Sequence, residues 1–177
     1  MILEQKKNLD PQLHEELKKY VYDIIGHVMY VCKQLPCGQP EYLYQEAFAK
    51  TLRKNGIDPH KEHQYHPLFD GEPLEAYLKM DFMIEREWGQ LTPNREQCPS
   101  SLEHCRGAKE EGLPKQANIV VEAKAIDKLT NHERAQLFGY LVGTGYPVGL
   151  LVNFATYPHP TIERYYFDKK DMTITAF

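Results

Sequence analysis

Several features that would assign a chain to a specialised class of protein are absent from these 177 residues. No apolar run approaches the roughly 18 residues that cross a bilayer, and the N-terminal segment lacks the apolar stretch of a signal peptide. The four cysteines form no close-set framework, which favours free thiols in a reducing compartment. These absences predict a cytoplasmic protein that does not associate with membranes.

An excess of positive charge is also absent. The net charge is -4 and the isoelectric point is about 6.1, whereas a protein that coats nucleic acid usually has a basic surface. An enzyme with a local basic channel and an acidic metal site is not excluded, because the net charge hides how charge is distributed. The length and the hydrophobic content of 42% are ordinary for a globular protein, and we expect a single domain over residues 1–177.

Three helices are predicted from apolar residues that recur at steps of three and four. The first begins at Pro11 and runs for about six turns, and the second spans about 40–54. The third spans about 132–143, with either Thr130 or Asn131 as its N-cap. Each helix has one apolar face, so each is expected to pack on a common core.

Strands are predicted between these helices. An alternating run at 63–69 is followed by Asp70-Gly71, a strong hairpin signal, and a strand at about 74–85 returns from it. Alternation in that strand puts Leu78, Met80, Phe82 and Ile84 on one face and Lys79, Asp81 and Met83 on the other. Further strands are expected at 119–125, at about 146–154, and at two sheet edges, 162–167 and 172–177. This order predicts a mixed α/β fold in which helices flank a central sheet.

The strand at 119–125 contains two charged residues, Glu122 and Lys124, which alternation places on the same face. Buried charges are costly unless they are paired or in use, and the simplest alternative is an ion pair on a half-exposed sheet. If the strand of Asp81 is a neighbour, two carboxylates approach each other and favour a divalent cation between them. A bound cation lowers the pKa of a water molecule, which Lys124 could orient.

Two further motifs lie on the predicted helices. Gln136 and Tyr140 form a Q-x3-Y pair on one helix face, where an amide and a phenol could reach a phosphate or a base. The alternatives are a solvated glutamine and an aromatic residue at the rim of the core. Gly38, Glu41 and Tyr44 form a G-x-x-E-x-x-Y motif at the start of the second helix.

The order of these motifs from about residue 21 to 154 resembles the GxxExxY protein family, a branch of the PD-(D/E)XK nuclease superfamily. The resemblance implies a restriction-endonuclease-like core and a nuclease that uses Mg²⁺ or Mn²⁺ to cut nucleic acid, with DNA expected. It implies a role for each motif residue: Asp81, Glu122 and Glu41 as catalytic metal ligands, Lys124 as the catalytic lysine, and Gln136, Tyr140 and Tyr44 as substrate-binding residues.

Alternatives remain open for two residues of the second helix. Tyr44 is at least as well explained as an aromatic that packs or hydrogen-bonds behind the site. Glu46 is a reserve candidate for the third acidic residue, and it equally suits a solvated partner for Lys50.

One departure from the family pattern is an insertion at about 89–118, between the strand of Asp81 and that of Glu122. Asp81 can be adjacent to Glu122 only if this loop leaves and re-enters the sheet at one edge. We expect one helical turn near 101–109. Within the insertion, Cys98, His104 and Cys105 are better explained as polar loop residues than as a zinc site, because no C-x2-C pair is present.

The function predicted from the motifs has an alternative of a different class. A non-catalytic nucleic-acid-binding or assembly module could retain the same fold, since a fold does not dictate a function. An enzyme of restriction or repair type that acts inside a larger complex would share the chemistry and differ in its partners. Whether the chain works with a protein partner or as a homo-oligomer is left open.

Overall fold

The structure is a computed structural model that describes residues 11–87 and 116–177. The expected turn at 101–109 and the residues Cys98, His104 and Cys105 lie outside the described part. Three helices and eight strands are described: α1 (Pro11–Gln34), α2 (Glu41–Lys54), β1 (His60–Tyr65), β2 (Leu68–Phe69), β3 (Glu72–Pro73), β4 (Leu78–Glu87), β5 (Gln116–Lys124), α3 (Asn131–Thr144), β6 (Val148–Asn153), β7 (Thr161–Asp168) and β8 (Thr173–Ala176).

The three predicted helices are confirmed, and the helix ends follow local chemistry. The N-cap of α3 is Thr130, whose side chain accepts from the His132 backbone and forms a capping box with Glu133. Gly145 ends this helix with a φ of 74°, a left-handed conformation that glycine adopts without steric cost. No helix among the described residues is long and apolar enough to cross a membrane.

Six strands form one mixed sheet in the order β1-β4-β5-β6-β7-β8. β5 and β6 are parallel, and the other neighbours are antiparallel. Apolar side chains of α1 and α2 pack on one face of the sheet, and those of α3 pack on the other. This is the mixed α/β fold expected from the sequence, consistent with a PD-(D/E)XK nuclease core.

The predicted hairpin is confirmed. The turn at Asp70-Gly71, where both residues have a positive φ, joins β2 to β3, and the two sides of the hairpin pair again further out as β1 with β4. The structure adds that β2 and β3 form a two-stranded ribbon separate from the main sheet. One detail of the predicted strands is wrong: β7 was expected at an edge but lies between β6 and β8. A local pattern predicts the strand, whereas its neighbours depend on the tertiary fold.

The predicted faces of β4 are also partly wrong. Phe82 and Ile84 pack on the α1/α2 side, but Met80 packs on the α3 side. The change occurs at Asp81, and the residue opposite in β1, Glu62, has a φ of 54°. A positive φ is unfavourable for a residue with a Cβ and marks an irregular point in a strand, where strict alternation of side chains is lost.

The insertion leaves and re-enters at one point of the sheet. β4 and β5 are antiparallel neighbours, and their last pair before the insertion is Glu87 with Gln116. The pairing of β4 with β5 continues in the same register as far as Phe82 and Val121. These two residues are the chain neighbours of Asp81 and Glu122. At roughly 3.3 Å per residue, about 20 Å of strand separates Asp81 from the start of the insertion.

Candidate active site

The end of β5 holds a buried ion pair. The Nζ atom of Lys124 donates to Oε1 of Glu122 at 2.6 Å, and the Glu122 side chain is 1% exposed while that of Lys124 is 17% exposed. Both side chains project from one face because they are two residues apart in a strand. The expected ion pair therefore exists, in a site that is almost closed to solvent.

Asp81 is joined directly to β5. The regular pairing of β4 and β5 ends at Phe82 and Val121, and beyond it the Asp81 Oδ2 atom accepts the backbone N–H of Ala123 at 2.9 Å. A carboxylate thus takes the place of a backbone carbonyl in the ladder. This bond fixes Asp81 beside the segment that contains Glu122 and Lys124.

Helix α2 contributes a third acidic residue from its first turn. Oε2 of Glu41 accepts the backbone N–H of Ala125 at 3.2 Å, and the Nε2 atom of Gln45 approaches its Oε1 at 3.4 Å. Ala125 directly follows Lys124, so Glu41 holds the chain at the end of β5. Glu46, the reserve candidate, is exposed, as is Lys50.

The charges of these residues perturb one another. Burial and the negative charge of Asp81 raise the pKa of Glu122 to about 7, against the opposing effect of the Lys124 ammonium. Burial also raises the pKa of Asp81 and Glu41 adds to it, although the Ala123 N–H, Lys124 and Gln45 act in the opposite direction. Burial lowers the pKa of Lys124, but the surrounding carboxylates outweigh it and raise that pKa overall.

One oxygen of this site has no partner in the part of the chain that the structure describes. Among those residues, Oε2 of Glu122 is buried and accepts no hydrogen bond, while Oε1 is bound to Lys124. A buried carboxylate oxygen without a partner is strongly unfavourable, and a divalent cation is a suitable partner for it. Within 11–87 and 116–177, however, no three His, Cys, Asp or Glu side chains are grouped so that they could hold a metal ion. The carboxylates of Glu122 and Asp81 are the two side chains here that could supply oxygen ligands to a cation.

The Q-x3-Y pair links α3 to β4. The Tyr140 hydroxyl donates to the backbone carbonyl of Lys79 at 2.8 Å and accepts from Nε2 of Gln136 at 2.9 Å. Tyr140 is buried, and Lys79 lies two residues before Asp81. These contacts let Tyr140 position the strand of Asp81, whereas Gln136, which is partly exposed, remains able to contact a ligand.

Tyr44 lies in the core behind the site. Its ring stacks on Phe154 with 5.0 Å between ring centroids, and its hydroxyl donates to the Pro36 carbonyl at 2.8 Å. The side chain is 1% exposed. These contacts fit the packing role that the sequence left open for Tyr44, and they fix the turn between α1 and α2.

Two residues at the site escaped the analysis of the sequence. Gln45 contacts Glu41 and lies near Asp81, and its position four residues after Glu41 on one helix face was the available signal. Asn153 is fully buried, and its side-chain Oδ1 accepts the backbone N–H of Ile126 at 3.1 Å while its Nδ2 donates to the Ile126 carbonyl at 2.6 Å. A single amide that ends an otherwise apolar strand was its signal.

A family model gives independent evidence. The model described as the PD-(D/E)XK nuclease superfamily matches residues 18–88 and 113–165, which include Glu41, Asp81, Glu122 and Lys124. No curated protein and no solved structure shows significant similarity to the chain. The match extends over more than half of the sequence and covers both sides of the insertion, so the chain belongs to the PD-(D/E)XK nuclease superfamily.

Proposed function

We propose that this protein is a metal-dependent nuclease that hydrolyses phosphodiester bonds of nucleic acid, with DNA as the expected substrate. The observation that carries the proposal is the buried Glu122, which has one oxygen on Lys124 and the other without a protein partner. Membership of the nuclease superfamily supports the same chemistry. The narrower assignment to the GxxExxY family rests on Gly38, Glu41 and Tyr44 and is part of the proposal.

Asp81 and Glu122 would hold the cation, and Mg²⁺ or Mn²⁺ fits because hard divalent cations prefer carboxylate oxygens and retain several waters. When bound, such a cation makes a water nucleophilic at neutral pH and neutralises charge on the phosphodiester. Glu41 is retained as a proposed third ligand. Its present bond to the Ala125 N–H equally suits a residue that positions the end of β5.

Lys124 has two tasks in this proposal. In the absence of a cation its ammonium compensates the charge of Glu122 at 2.6 Å. During the reaction it donates to the attacking water or to the oxygen that gains charge on phosphorus, a role in which a fixed cation is most effective in a site closed to solvent. The carboxylates raise the pKa of Lys124, so it remains charged at neutral pH.

The alternative function, a non-catalytic module, is favoured by one observation: Glu122 has a basic partner, Lys124, without any ligand. If that pair were only structural, both oxygens of Glu122 would be expected to have partners, as buried polar atoms generally do. The second oxygen has none. We therefore give the catalytic role precedence.

The experiment that tests the proposal is a cleavage assay. Labelled linear and circular DNA are incubated with the protein in Mg²⁺, in Mn²⁺ or in EDTA, and wild type is compared with Glu122→Ala and Lys124→Ala. We expect cleavage only with a divalent cation and its loss in both variants. The matched control is Glu85→Ala, because Glu85 is an exposed carboxylate on the same strand as Asp81, and it should cut like wild type.

Three other results would change the interpretation. Cleavage that survives Glu122→Ala would remove the site proposed here. A wild type that binds a divalent cation in calorimetry but does not cut would indicate that a protein partner, a homo-oligomer or an RNA substrate is required. A protein that neither binds a cation nor cuts would favour the non-catalytic module.

A further inference from the structure

The active-site end of the sheet also carries an exposed aromatic residue. β5 and β6 are parallel, and Lys124 at the end of β5 pairs with Asn153 at the end of β6. The connection at 154–160 therefore leaves the sheet at the same end of the strands as the proposed catalytic lysine. Phe154 donates its backbone N–H to the Lys124 carbonyl at 2.8 Å. Three residues further along, Tyr157 is 85% exposed, the most exposed large hydrophobic residue described.

This connection is held in place by hydrogen bonds at both ends. Oδ1 of Asn153 accepts the backbone N–H of Ala155 at 3.2 Å. The Thr156 hydroxyl donates to the His159 carbonyl at 2.9 Å and accepts the backbone N–H of Thr161 at 2.7 Å. The loop is therefore fixed on either side of Tyr157 while the ring itself remains in solvent. A binding group that is already ordered loses little conformational entropy when a ligand arrives.

The chemistry of the loop suits a polyanion with aromatic rings. Residues 154–160 contain no acidic side chain. Four residues from Asn153 to Tyr157 span at most about 13 Å of chain, so the ring lies within a few nucleotides of a phosphate held at Lys124. An exposed aromatic face stacks on a nucleobase only if that base is not already stacked and paired in a duplex.

We propose that Tyr157 stacks on an unpaired nucleobase within a few nucleotides of the scissile phosphate, and that the substrate of this site is single-stranded or frayed nucleic acid. This inference rests on the proposed function, because it needs a phosphodiester at Lys124. The proposal concerns binding, so it is tested by affinity rather than by cleavage.

The test measures the affinity of the full-length chain for DNA. Every protein carries Glu122→Gln so that bound DNA stays intact, and the probes are a single-stranded oligonucleotide and a blunt duplex of the same length. We expect Tyr157→Ala to weaken single-strand binding by about 5- to 150-fold, which is the range for loss of one base–aromatic stack. Duplex binding should be unchanged, and Tyr157→Phe should retain the affinity because its ring still stacks.

The matched control is Tyr22→Ala, because Tyr22 is a tyrosine of similar exposure, 72%, in the middle of α1. It should leave single-strand binding unchanged. As a direct readout, 2-aminopurine in the oligonucleotide should be quenched by the parent protein and not by Tyr157→Ala, since stacking quenches its emission.

Each other outcome is decisive. Equal single-strand affinity of the parent and Tyr157→Ala overturns the inference and leaves the nuclease proposal standing. An equal loss for single strand and duplex overturns it as well, because the ring then contributes without an unpaired base. A parent protein that binds neither DNA probe overturns the inference for DNA, and a wild type that also neither cuts DNA nor binds a divalent cation overturns the proposed function itself.

Discussion

Two glutamate ion pairs lie at laterally aligned positions of the sheet, one on β5 and one on β7. They differ in how many of their carboxylate oxygens are hydrogen-bonded and in the direction of their pKa shifts. Glu122 of β5 pairs with Leu151 of β6, which pairs with Glu163 of β7, so one strand lies between the two glutamates and their backbones are about 10 Å apart. Each has a basic partner at 2.6 Å: Lys124 for Glu122, and Arg134 for Glu163. Distance alone does not distinguish the pairs.

The number of satisfied oxygens does distinguish them. Glu163 accepts from Nε and Nη2 of Arg134 at 2.8 and 2.6 Å and from the Tyr165 hydroxyl at 2.7 Å, so both of its oxygens have partners. The hydrogen bonds from Arg134 hold the pKa of Glu163 below its usual value. Glu122 has one satisfied oxygen and a pKa raised to about 7, chiefly by burial.

The comparison shows how the candidate catalytic carboxylate differs from a structural one. The pair at Glu163 joins α3 to β7 and has every feature of a stabilising contact. The pair at Glu122 is more buried yet incomplete, which a contact selected only for stability has no reason to be. A strongly perturbed carboxylate beside a second one is typical of functional sites. Breaking the two pairs should therefore have opposite consequences.

The largest expected effect is on cleavage. Glu122→Gln keeps the shape of the side chain but removes its charge, so divalent cation binding by calorimetry should be lost and the cleavage rate should fall by more than about 100-fold. Glu163→Gln removes the same charge one strand away and should leave both quantities near those of wild type. A comparable loss of cleavage in Glu122→Gln and Glu163→Gln would show that the two ion pairs act as one network. The distinction between a catalytic and a structural pair would then be wrong.

The second effect is on stability as a function of pH, measured by urea unfolding in EDTA. With a folded pKa of about 7 against 4.5 in the unfolded chain, Glu122 keeps its proton in the fold over a range where the unfolded chain has released it. Stability should therefore fall as pH rises from about 4.5 to about 7, by up to about 3 kcal/mol. Glu122→Gln should reduce this slope.

The contribution of Glu163 to stability changes with pH in the opposite direction. Its pKa is lowered, so its contribution is present above about pH 4.5 and is lost as the pH falls through the folded value. Glu163→Gln should leave the slope between pH 4.5 and 7 intact. A wild type whose stability rises through that window would contradict the raised pKa of Glu122 in the metal-free fold.

A third, smaller effect is on stability at pH 8. Glu163→Gln leaves Arg134 and Tyr165 without a charged partner, and the pair is only partly buried, so we expect a loss of about 1–3 kcal/mol in the free energy of unfolding. Glu122→Gln should be neutral or stabilising there, because it removes a carboxylate that the metal-free fold holds unfavourably. Chemical denaturation of both variants in EDTA measures the difference directly.

The sequence identifies these two pairs with unequal success. Glu122 and Lys124 were predicted to share a face because strand alternation is a local rule, whereas the approach of Asp81 to them depends on β4 being the neighbour of β5. Arg134 and Glu163 are 29 positions apart, and no local pattern relates a helix residue to a residue of β7. Contacts that depend on which strands become neighbours require the tertiary fold.

The same distinction accounts for the errors. The helices were predicted to within a residue or two at most ends, because caps and apolar periodicity act over a few residues. The inner position of β7 depends on contacts between distant segments. Met80 was assigned to the wrong face because the irregular point at Asp81, the catalytic candidate, breaks the alternation on which the prediction relied.

The smallest expected effect compares two buried phenols, one at each pair. The Tyr165 hydroxyl donates to Glu163. The Tyr140 hydroxyl donates to the backbone carbonyl of Lys79, two residues before Asp81 in β4. Tyr165→Phe and Tyr140→Phe each remove one hydrogen bond and should each cost about 1 kcal/mol of stability. Only Tyr140→Phe should slow cleavage, and it should lower kcat with KM unchanged, because the hydroxyl positions the strand of Asp81. A raised KM with normal kcat would instead indicate that Tyr140 contacts the substrate, as the Q-x3-Y motif predicts.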